Sequence, residues 1–204
     1  MLKEYDIKIE TGSVMVGFGW DAFLHQRSGG LLSGLIALRK PRDVDFDGSA
    51  ILLNEKGKPI SSETMDCCVY YRNLKMFDGA MRHGGDDRSG AREGDDETLF
   101  IDLTRLPETI HGIALSMDLL KDPNRHISIG RVQNVYVRLT DPEDGSEICR
   151  YSFMGEGGRD KAFVAGYLLR NGDSWYFRMD GSTLPDVHST EEMIAAVSEL
   201  DWEK

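Results

Sequence analysis

The chain has 204 residues, of which 40% are hydrophobic, so it is long enough to bury a substantial core in one domain. Its formal net charge of −11 repels phosphate backbones, which argues against nucleic acid as a partner and favours cations. The charged N-terminus lacks the apolar run of a signal peptide, and the apolar run at residues 31–38 is too short to span a bilayer. We therefore expect a cytoplasmic protein.

Period-two alternation of apolar residues predicts strands along most of the chain. The first run, VMVGFGW at residues 14–20, places alternate apolar side chains on one face. Similar faces follow, and their residues are Leu99, Ile101 and Leu103, then Ile113, Leu115, Met117 and Leu119, then Val135, Val137 and Leu139, then Phe163, Ala165, Tyr167 and Leu169, then Trp175, Phe177 and Met179. Each run is predicted to be a half-buried strand.

Turn residues separate these runs. Asn171, Gly172 and Asp173 tolerate a positive φ and predict a hairpin between the last two strands, and Gly57 within residues 55–58 predicts another turn. Helical segments do not alternate with the strands, which argues against a parallel α/β sheet. We predict an all-β fold, an antiparallel β-sandwich with a short C-terminal helix.

The C-terminal segment EEMIAAVSELDW has the signals of an α-helix. Ser189 or Thr190 can cap its first turn, where two glutamates lie at the positive end of the helix dipole. Its apolar residues are Met193, Ile194, Val197 and Leu200. We predict one sandwich domain over residues 1–182 and a helical tail over residues 183–204 that packs on one face of it.

Residues 22–42 form a second candidate helical segment, in which a glycine pair precedes the apolar LLSGLIAL and the basic RKPR. One interpretation is a loop whose leucines cover an edge of the core. The other is an element that docks a partner or lies on a membrane surface through apolar and basic contacts. The sequence leaves both interpretations open.

Acidic residues are concentrated in two segments that precede predicted strands. The longer, HGGDDRSGAREGDDETLF at residues 83–100, contains the carboxylates of Asp86, Asp87, Glu93, Asp95, Asp96 and Glu97. In the shorter, RDVDFDG, Asp45 and Asp47 face one way if the chain is extended. Charges packed this closely repel one another unless water or a cation compensates them. Calcium prefers carboxylate and carbonyl oxygens on curled, glycine-containing loops, so both segments could converge on one ion.

The EF-hand is the first calcium motif to test, because DFDG begins like one. Counted from Asp45, position twelve is Lys56, where a bidentate glutamate is required. Counted from Asp86, Glu97 falls at position twelve, but an arginine and a glycine occupy positions three and five. Both segments fail the motif. A metal site here would therefore lie in loops of a β-sandwich.

Several stretches resemble the signature of the TerD family of tellurium-resistance and general stress proteins. They are VGFGWD at 16–21, DFDGSAILL at 45–53, DGAMRHGGDDRSGAREGDDETLFIDLTRLP at 78–107, IGRVQNVYVRL at 129–139 and AGYLLRNGDSWYFRMDG at 165–181. The resemblance covers roughly residues 7–182. Its most specific part is the long acidic loop, because an ordered pattern of acids, glycines and a threonine over that length rarely recurs by chance.

This resemblance implies a β-sandwich that binds calcium through its acidic loops and has no recognised catalytic chemistry. The ligands it implies are Asp45, Asp47, Asp86, Asp95, Asp96 and Glu97, with Ser89 and the carbonyl of Gly94 as further candidates. Asp87 is also a candidate; it stands where the family usually has Asn, and its added carboxylate could tighten binding or crowd the site. Arg88 and Arg92 can neutralise carboxylates of this loop without a metal.

Other conspicuous residues have structural explanations. Cys67 and Cys68 are adjacent in a strand-like stretch, so we expect them to pack on opposite faces and not to share a soft metal ion. The histidines have no metal-binding spacing, so surface or loop positions are expected for each of them. His83 alone is of further interest, because it precedes the acidic loop. Gly17 and Gly19 lie inside a strand pattern and fit a bulge or close sheet packing.

We expect a calcium-binding module and not an enzyme. In this hypothesis the ion cancels the repulsion, orders both acidic loops and presents a surface to a protein partner of a stress-response assembly. One alternative is calcium-dependent association with an anionic membrane through LLSGLIALRKPR. Another is a hydrolase whose clustered aspartates hold magnesium or manganese and activate water on a phosphoester, although the sequence shows no clear base.

Overall fold

The computed structural model describes residues 2–21, 44–84, 94–119, 128–153 and 160–202. These ranges contain thirteen β-strands, β1 to β13, and two α-helices, α1 and α2. The strands are Ile7–Ile9, Ser13–Asp21, Asp47–Leu53, Cys68–Val69, Lys75–Met76, Met81–His83, Glu97–Asp102, Gly112–Asp118, Gln133–Thr140, Glu147–Phe153, Ala162–Asn171, Ser174–Met179 and Thr183–Leu184. The helices are Thr64–Cys67 and Thr190–Glu199. Short 3₁₀ turns lie at Phe77–Gly79, Leu103–Arg105 and Ile129–Arg131.

The described strands pair in antiparallel fashion into two sheets that enclose one core. The larger sheet has the order β1-β12-β11-β8-β3-β4, with β13 also pairing with β11. The smaller sheet has the order β10-β9-β2-β7-β6-β5. Apolar residues of both sheets meet between them, because alternate side chains of each strand point inward. The prediction of an all-β sandwich with a short C-terminal helix is confirmed.

The predicted apolar face of β2 is fully buried: Val14, Val16 and Phe18 are inaccessible to solvent and Trp20 is 3% exposed. Strand β8 differs from the prediction of a half-buried strand, because all its residues are buried on both faces. The reason is a second apolar cluster on the outer face of the larger sheet, where residues of α2 pack beside Ala114 of β8.

The predicted shared face of Phe163, Ala165, Tyr167 and Leu169 is wrong. Phe163 and Ala165 face the core between the sheets, whereas Tyr167 and Leu169 belong to the outer cluster under α2. The pairing of β11 with β8 shifts register between Val164 and Gly166. A shift of one residue moves every later side chain to the opposite face, so the alternation in the sequence does not reveal it.

Both predicted turns are present. Asn171 pairs with Ser174 across the β11–β12 hairpin, and Gly172 has a φ of 61°, which glycine adopts without strain. At residues 55–58 the backbone N–H of Asn54 donates to the carbonyl of Lys58 at 2.8 Å, and Gly57 has a φ of 71°. Residues 22–42 lie outside the described ranges, so both interpretations of that segment stay predictions.

Helix α2 begins where the sequence predicted. The hydroxyl of Ser189 accepts a hydrogen bond from the backbone N–H of Glu192 at 3.1 Å, which caps the first turn. Its buried side chains are Met193, Ile194 and Val197, and they pack on the outer face of the larger sheet. None of the helices in the described ranges is long and apolar enough to cross a membrane.

The two adjacent cysteines are buried, but not on opposite faces of a strand. Cys67 ends α1 and Cys68 begins β4, and both belong to the outer cluster. The prediction of opposite faces is therefore wrong, because the chain changes from helix to strand between them. Burial raises the pKa of Cys67 to about 11 and that of Cys68 well above its usual value. Both thiols are protonated at neutral pH and serve packing.

Candidate metal centre

One end of the sandwich gathers the described parts of both acidic segments, and we call it the acidic end. Strand β2 finishes there at Asp21, while β3 and β7 begin there at Asp47 and Glu97. Strand β8 finishes there at Asp118, the cross-strand partner of Asp47. The antiparallel register thus makes neighbours of acidic residues that lie far apart in the sequence.

Trp20 joins the two acidic segments. Its indole Nε1–H donates to the carbonyl of Val44 at 2.9 Å, and its backbone N–H donates to Oδ2 of Asp96 at 2.8 Å. The backbone N–H of Asp96 in turn donates to the carbonyl of Phe18 at 2.8 Å. Asp96 is 4% exposed, and both its main chain and its side chain are fixed against the end of β2.

Glu97 connects the longer acidic segment directly to the backbone of the shorter one. Its Oε2 accepts a hydrogen bond from the backbone N–H of Gly48 at 2.6 Å and lies 3.5 Å from Nε2 of His83. Both side chains are buried, so the backbone N–H of Gly48 replaces part of the solvation that the carboxylate loses. The predicted surface or loop position of His83 is wrong, because the register of β6 against β7 pairs it with Leu99.

The close approach of β3 to β2 depends on Gly48. A Cβ atom added there would lie 2.5 Å from the ring of Phe18, far inside van der Waals contact. Its backbone N–H reaches Glu97 only because the strand lies this close to the core. The glycine therefore contributes to the contact between the two acidic segments as well as to packing.

Asp47 and Asp118 form a separate pair on the outer face of the larger sheet. They are opposite each other in β3 and β8 and are 2% and 4% exposed. Two residues further along the same face, the hydroxyls of Ser49 and Ser116 lie 2.9 Å apart. Cross-strand neighbours have Cβ atoms about 5 Å apart, so two ionised carboxylates there repel strongly unless a cation compensates them.

Asp118 was not among the predicted ligands, although a signal for it exists in the sequence. It follows the apolar residues of β8 in IALSMD, in the polar phase of a strand whose two faces are both buried. An aspartate in such a position needs compensation by a cation or by hydrogen bonds. Only the pairing of β8 with β3 reveals that its neighbour is Asp47.

Asp95 lies on the outer face of the smaller sheet and is held by an arginine of β9. Arg138 donates from Nε to Oδ1 at 2.8 Å and from Nη2 to Oδ2 at 3.0 Å. The hydroxyl of Tyr136 lies 3.0 Å from Oδ1 and 2.8 Å from the carbonyl of Gly94. Burial and the neighbouring carboxylate raise the pKa of Tyr136 to about 12, and the hydrogen bonds to Asp95 raise the pKa of Arg138. The tyrosine is therefore a donor at neutral pH.

Two glycines of β2 make room for this arrangement. A Cβ atom on Gly17 would lie 2.2 Å from the carboxylate of Asp95, and one on Gly19 would lie 2.2 Å from the ring of Tyr136. The prediction that these glycines serve close packing is confirmed. They let the end of the acidic loop lie flat on the sheet.

The described candidates for metal ligands therefore lie in three separate places. Asp47 lies with Asp118 on the larger sheet, and Asp45 precedes that strand. Gly94 and Asp95 lie on the smaller sheet, and Asp96 and Glu97 bond to the backbone of Trp20 and Gly48. Asp86, Asp87 and Ser89 lie outside the described residues. No three His, Cys, Asp or Glu side chains within the described ranges are arranged to hold a metal ion. The oxygen donors suit calcium in their chemistry, while a complete ligand set stays a prediction that requires residues between 85 and 93.

The fold and site define a class of protein: an antiparallel β-sandwich that carries acidic segments at one end. A family model described as the TerD domain matches residues 3–186. The chain therefore belongs to the TerD family, as the sequence motifs indicated.

Relatives of known name support this assignment. The chain is similar to the tellurium resistance protein TerD of Alcaligenes sp., with 32% identity over 169 residues that cover 83% of this chain and 79% of the relative. It is 31% identical to general stress protein 16U of Bacillus subtilis over 169 residues, with the same shares covered. A solved structure of a telluride resistance protein (TerD) homologue from Streptomyces coelicolor matches with a TM-score of 0.61 and 20% identity, covering 87% of this chain and 90% of that one. This last likeness shows the fold.

Proposed function

We propose that this member of the tellurium-resistance and general stress protein family is a non-enzymatic calcium-binding module that presents a surface to a protein partner. The observation that carries the proposal is the 2.6 Å hydrogen bond from the backbone N–H of Gly48 to Glu97. It makes the two acidic segments one structural unit, so a cation bound by either segment acts on both.

The chemistry of the donors supports calcium. Carboxylates at the acidic end are buried to an unusual degree, with Asp47, Asp96, Glu97 and Asp118 all at 4% exposure or less. Their oxygens are hard donors, and calcium bound to them would cancel their mutual repulsion. On the larger sheet Asp47 and Asp118 would contribute to holding an ion, and further ligands would have to come from outside the described ranges. The other residues that would hold an ion are Asp96 and Glu97, together with residues from 86 to 89.

The chain itself provides the connection from an ion to a surface. Trp20 bonds to both segments and packs its ring against Phe46, with ring centroids 5.3 Å apart. An ion that orders one segment therefore also affects the position of Trp20, to which the other segment is hydrogen-bonded. The names of the relatives, which include a general stress protein, support a role in a stress-response assembly.

The alternatives receive less support from the geometry. A hydrolase requires a base beside the metal-activated water. His83, a histidine at the acidic end, is buried and faces Glu97, so it is poorly placed for that role. Membrane association depends on residues 31–42, which lie outside the described ranges, and sedimentation with anionic vesicles with and without calcium tests it directly.

Hydrogen exchange of metal-stripped protein, measured with and without calcium, tests the proposal. We expect calcium to slow exchange of backbone amides in both residues 44–49 and residues 94–98, including Gly48. Magnesium serves as the control cation, and Asp144→Asn, in the exposed turn between β9 and β10, serves as the control variant. Protection in one segment alone, or in neither, would contradict a single calcium-dependent unit.

A further inference from the structure

A cavity of about 200 Å³ lies at the end of the larger sheet opposite the acidic end. It is bordered by the turn after β3, the start of β8 and the β11–β12 hairpin, and Leu2 and Trp202 also line it. Its polar lining consists mainly of cations and N–H donors. These are Arg170, Arg178, His111 and Asn171, with the exposed Glu55 at the rim.

The charge of Arg178 is neutralised by Asp6, and its side chain forms part of the cavity wall. It donates to the two carboxylate oxygens of Asp6 at 2.7 and 2.6 Å and to the carbonyl of Trp202 at 2.8 Å. The side chains of Arg178 and Asp6 are 4% and 1% exposed. This pair adds no net charge to the cavity, so the cation that a ligand meets there is Arg170.

Arg170 has donor capacity that its protein contacts leave unused. Its guanidinium stacks on the ring of Trp175 at 4.8 Å, and Nη2 donates to the carbonyl of Leu106 at 3.1 Å. Its Nε is buried and has no hydrogen-bond acceptor among the described residues. A buried N–H without an acceptor is costly, and a small shift of the Arg170 side chain toward a bound anion would give this N–H an oxygen acceptor.

We propose that this cavity binds a small oxyanion, the carboxylate or phosphate group of a small solute, with Arg170 as its main ligand. A planar guanidinium recognises both groups through paired hydrogen bonds, and Asn171 and His111 add further donors. Sites for drug-sized ligands occupy about 300–1,000 Å³, so the smaller volume here favours a small solute over a nucleotide or a large cofactor. Nothing in this site overlaps with the acidic end, so the proposal is independent of calcium.

The C-terminal tail forms one wall and supplies a spectroscopic signal. A Cβ atom on Gly57 or Gly112 would lie 2.2 or 2.4 Å from the ring of Trp202, so these glycines form the surface on which the ring rests. Trp202 lines the cavity, and Trp175 stacks on Arg170. Anion binding therefore changes the environment of two of the three tryptophans, and their fluorescence should report it.

The test is a titration of the full chain with sodium phosphate and, separately, sodium acetate, at constant ionic strength, followed by tryptophan fluorescence. We expect saturable binding of at least one anion, and the stronger of the two identifies the group. Arg170→Gln should weaken it at least tenfold. Arg105→Gln, which removes an exposed arginine bonded to the carbonyl of Asp78, should leave it unchanged. Glu55→Gln removes a repulsive carboxylate from the rim and should tighten binding several-fold.

Two results would overturn the proposal. One is the absence of saturable binding of either anion up to roughly 100 mM, a range that reveals even a weak site. The other is binding whose affinity Arg170→Gln leaves intact. If Arg170→Gln fails to fold, as its melting curve would show, Glu55→Gln decides the question, and an unchanged affinity in that variant rejects the site.

Discussion

Arg138 holds both carboxylate oxygens of Asp95 through two parallel hydrogen bonds of 2.8 and 3.0 Å. The side chains are 28% and 12% exposed, and paired geometry of this kind binds more strongly than an ordinary surface ion pair. Asp95 is one of the calcium ligands that the family resemblance implies. A cation of the protein itself therefore competes with any metal for this carboxylate and fixes the end of the acidic loop on β9.

Removal of this competitor should strengthen calcium binding. We predict that Arg138→Gln raises calcium affinity about five-fold, which corresponds to roughly 1 kcal/mol, while it lowers the melting temperature of the calcium-free protein. Calorimetric titration measures the calcium affinity, and a melting curve of the calcium-free protein measures the change in melting temperature. Arg82→Gln is the matched control, because Arg82 stacks on Phe100 of the same sheet at 4.1 Å. An affinity equal to that of the unmodified protein would show that Asp95 is not a ligand.

Gly17 is predicted to be essential for the position of Asp95. In Gly17→Ala the new methyl group would lie 2.2 Å from the carboxylate, so the side chain must leave its place on the sheet. We expect a loss of about 1–3 kcal/mol in the free energy of unfolding, measured by denaturant titration. Gly12→Ala, whose methyl would lie 3.1 Å from a methyl of Thr104, should cost less.

The double variant Gly17→Ala with Asp95→Ala separates the clash from a general effect on the strand. Because the second change removes the group that the methyl meets, the two losses should be less than additive. Strict additivity would show that the close contact between Gly17 and Asp95 does not account for the loss.

Glu97 is predicted to stabilise the contact between the acidic segments even without a metal. Glu97→Ala leaves the buried N–H of Gly48 without its acceptor, which should lower the free energy of unfolding by about 1–3 kcal/mol. Glu97→Gln keeps a carbonyl oxygen in place and should cost less. Amide exchange at Gly48 offers a local readout: it should accelerate in Glu97→Ala, and equal rates in both variants would contradict the role of this hydrogen bond.

The Asp6–Arg178 pair should give the protein an acid-sensitive contribution to stability. Burial opposes ionisation of Asp6, but the hydrogen bonds from Arg178 and Lys3 outweigh it and hold its pKa below 3.8. This contribution is present above pH 3.8, the unfolded value, and is lost as the pH falls through the lower folded value. We predict that Asp6→Asn costs about 3–5 kcal/mol at neutral pH and flattens the acid limb of the stability curve. Asp66→Asn, an exposed control, should leave that limb steep.

Local alternation was sufficient to predict strands such as β2, because side chains of period two reveal a buried face without knowledge of its partner. The face of β11 was not predictable in this way. The register shift between Val164 and Gly166 arises in the pairing with β8. In the sequence, only the glycine at position 166 marks the place where it occurs. Sequence patterns thus record which residues are buried better than they record which surface buries them.

The same distinction applies to the candidate site, where composition was predictive and strand pairing was not. The acidic segments were recognisable from composition, since carboxylates next to glycines are typical of calcium loops. The hydrogen bond from Gly48 to Glu97 spans 49 positions and depends on how the strands of two sheets align, which the sequence does not state. Arg138 was missed for the same reason, because it faces Asp95 only through the pairing of β9 with β2.

The decisive measurement is a calorimetric titration of metal-stripped protein with calcium, repeated on Asp47→Asn and Asp96→Asn. Asparagine retains an oxygen that can accept the N–H of Trp20, so the second variant should keep its fold. We predict micromolar or tighter binding that each variant weakens at least tenfold and that Asp144→Asn leaves unchanged. No heat up to millimolar calcium, with an unaltered melting temperature, would contradict calcium binding at the acidic end.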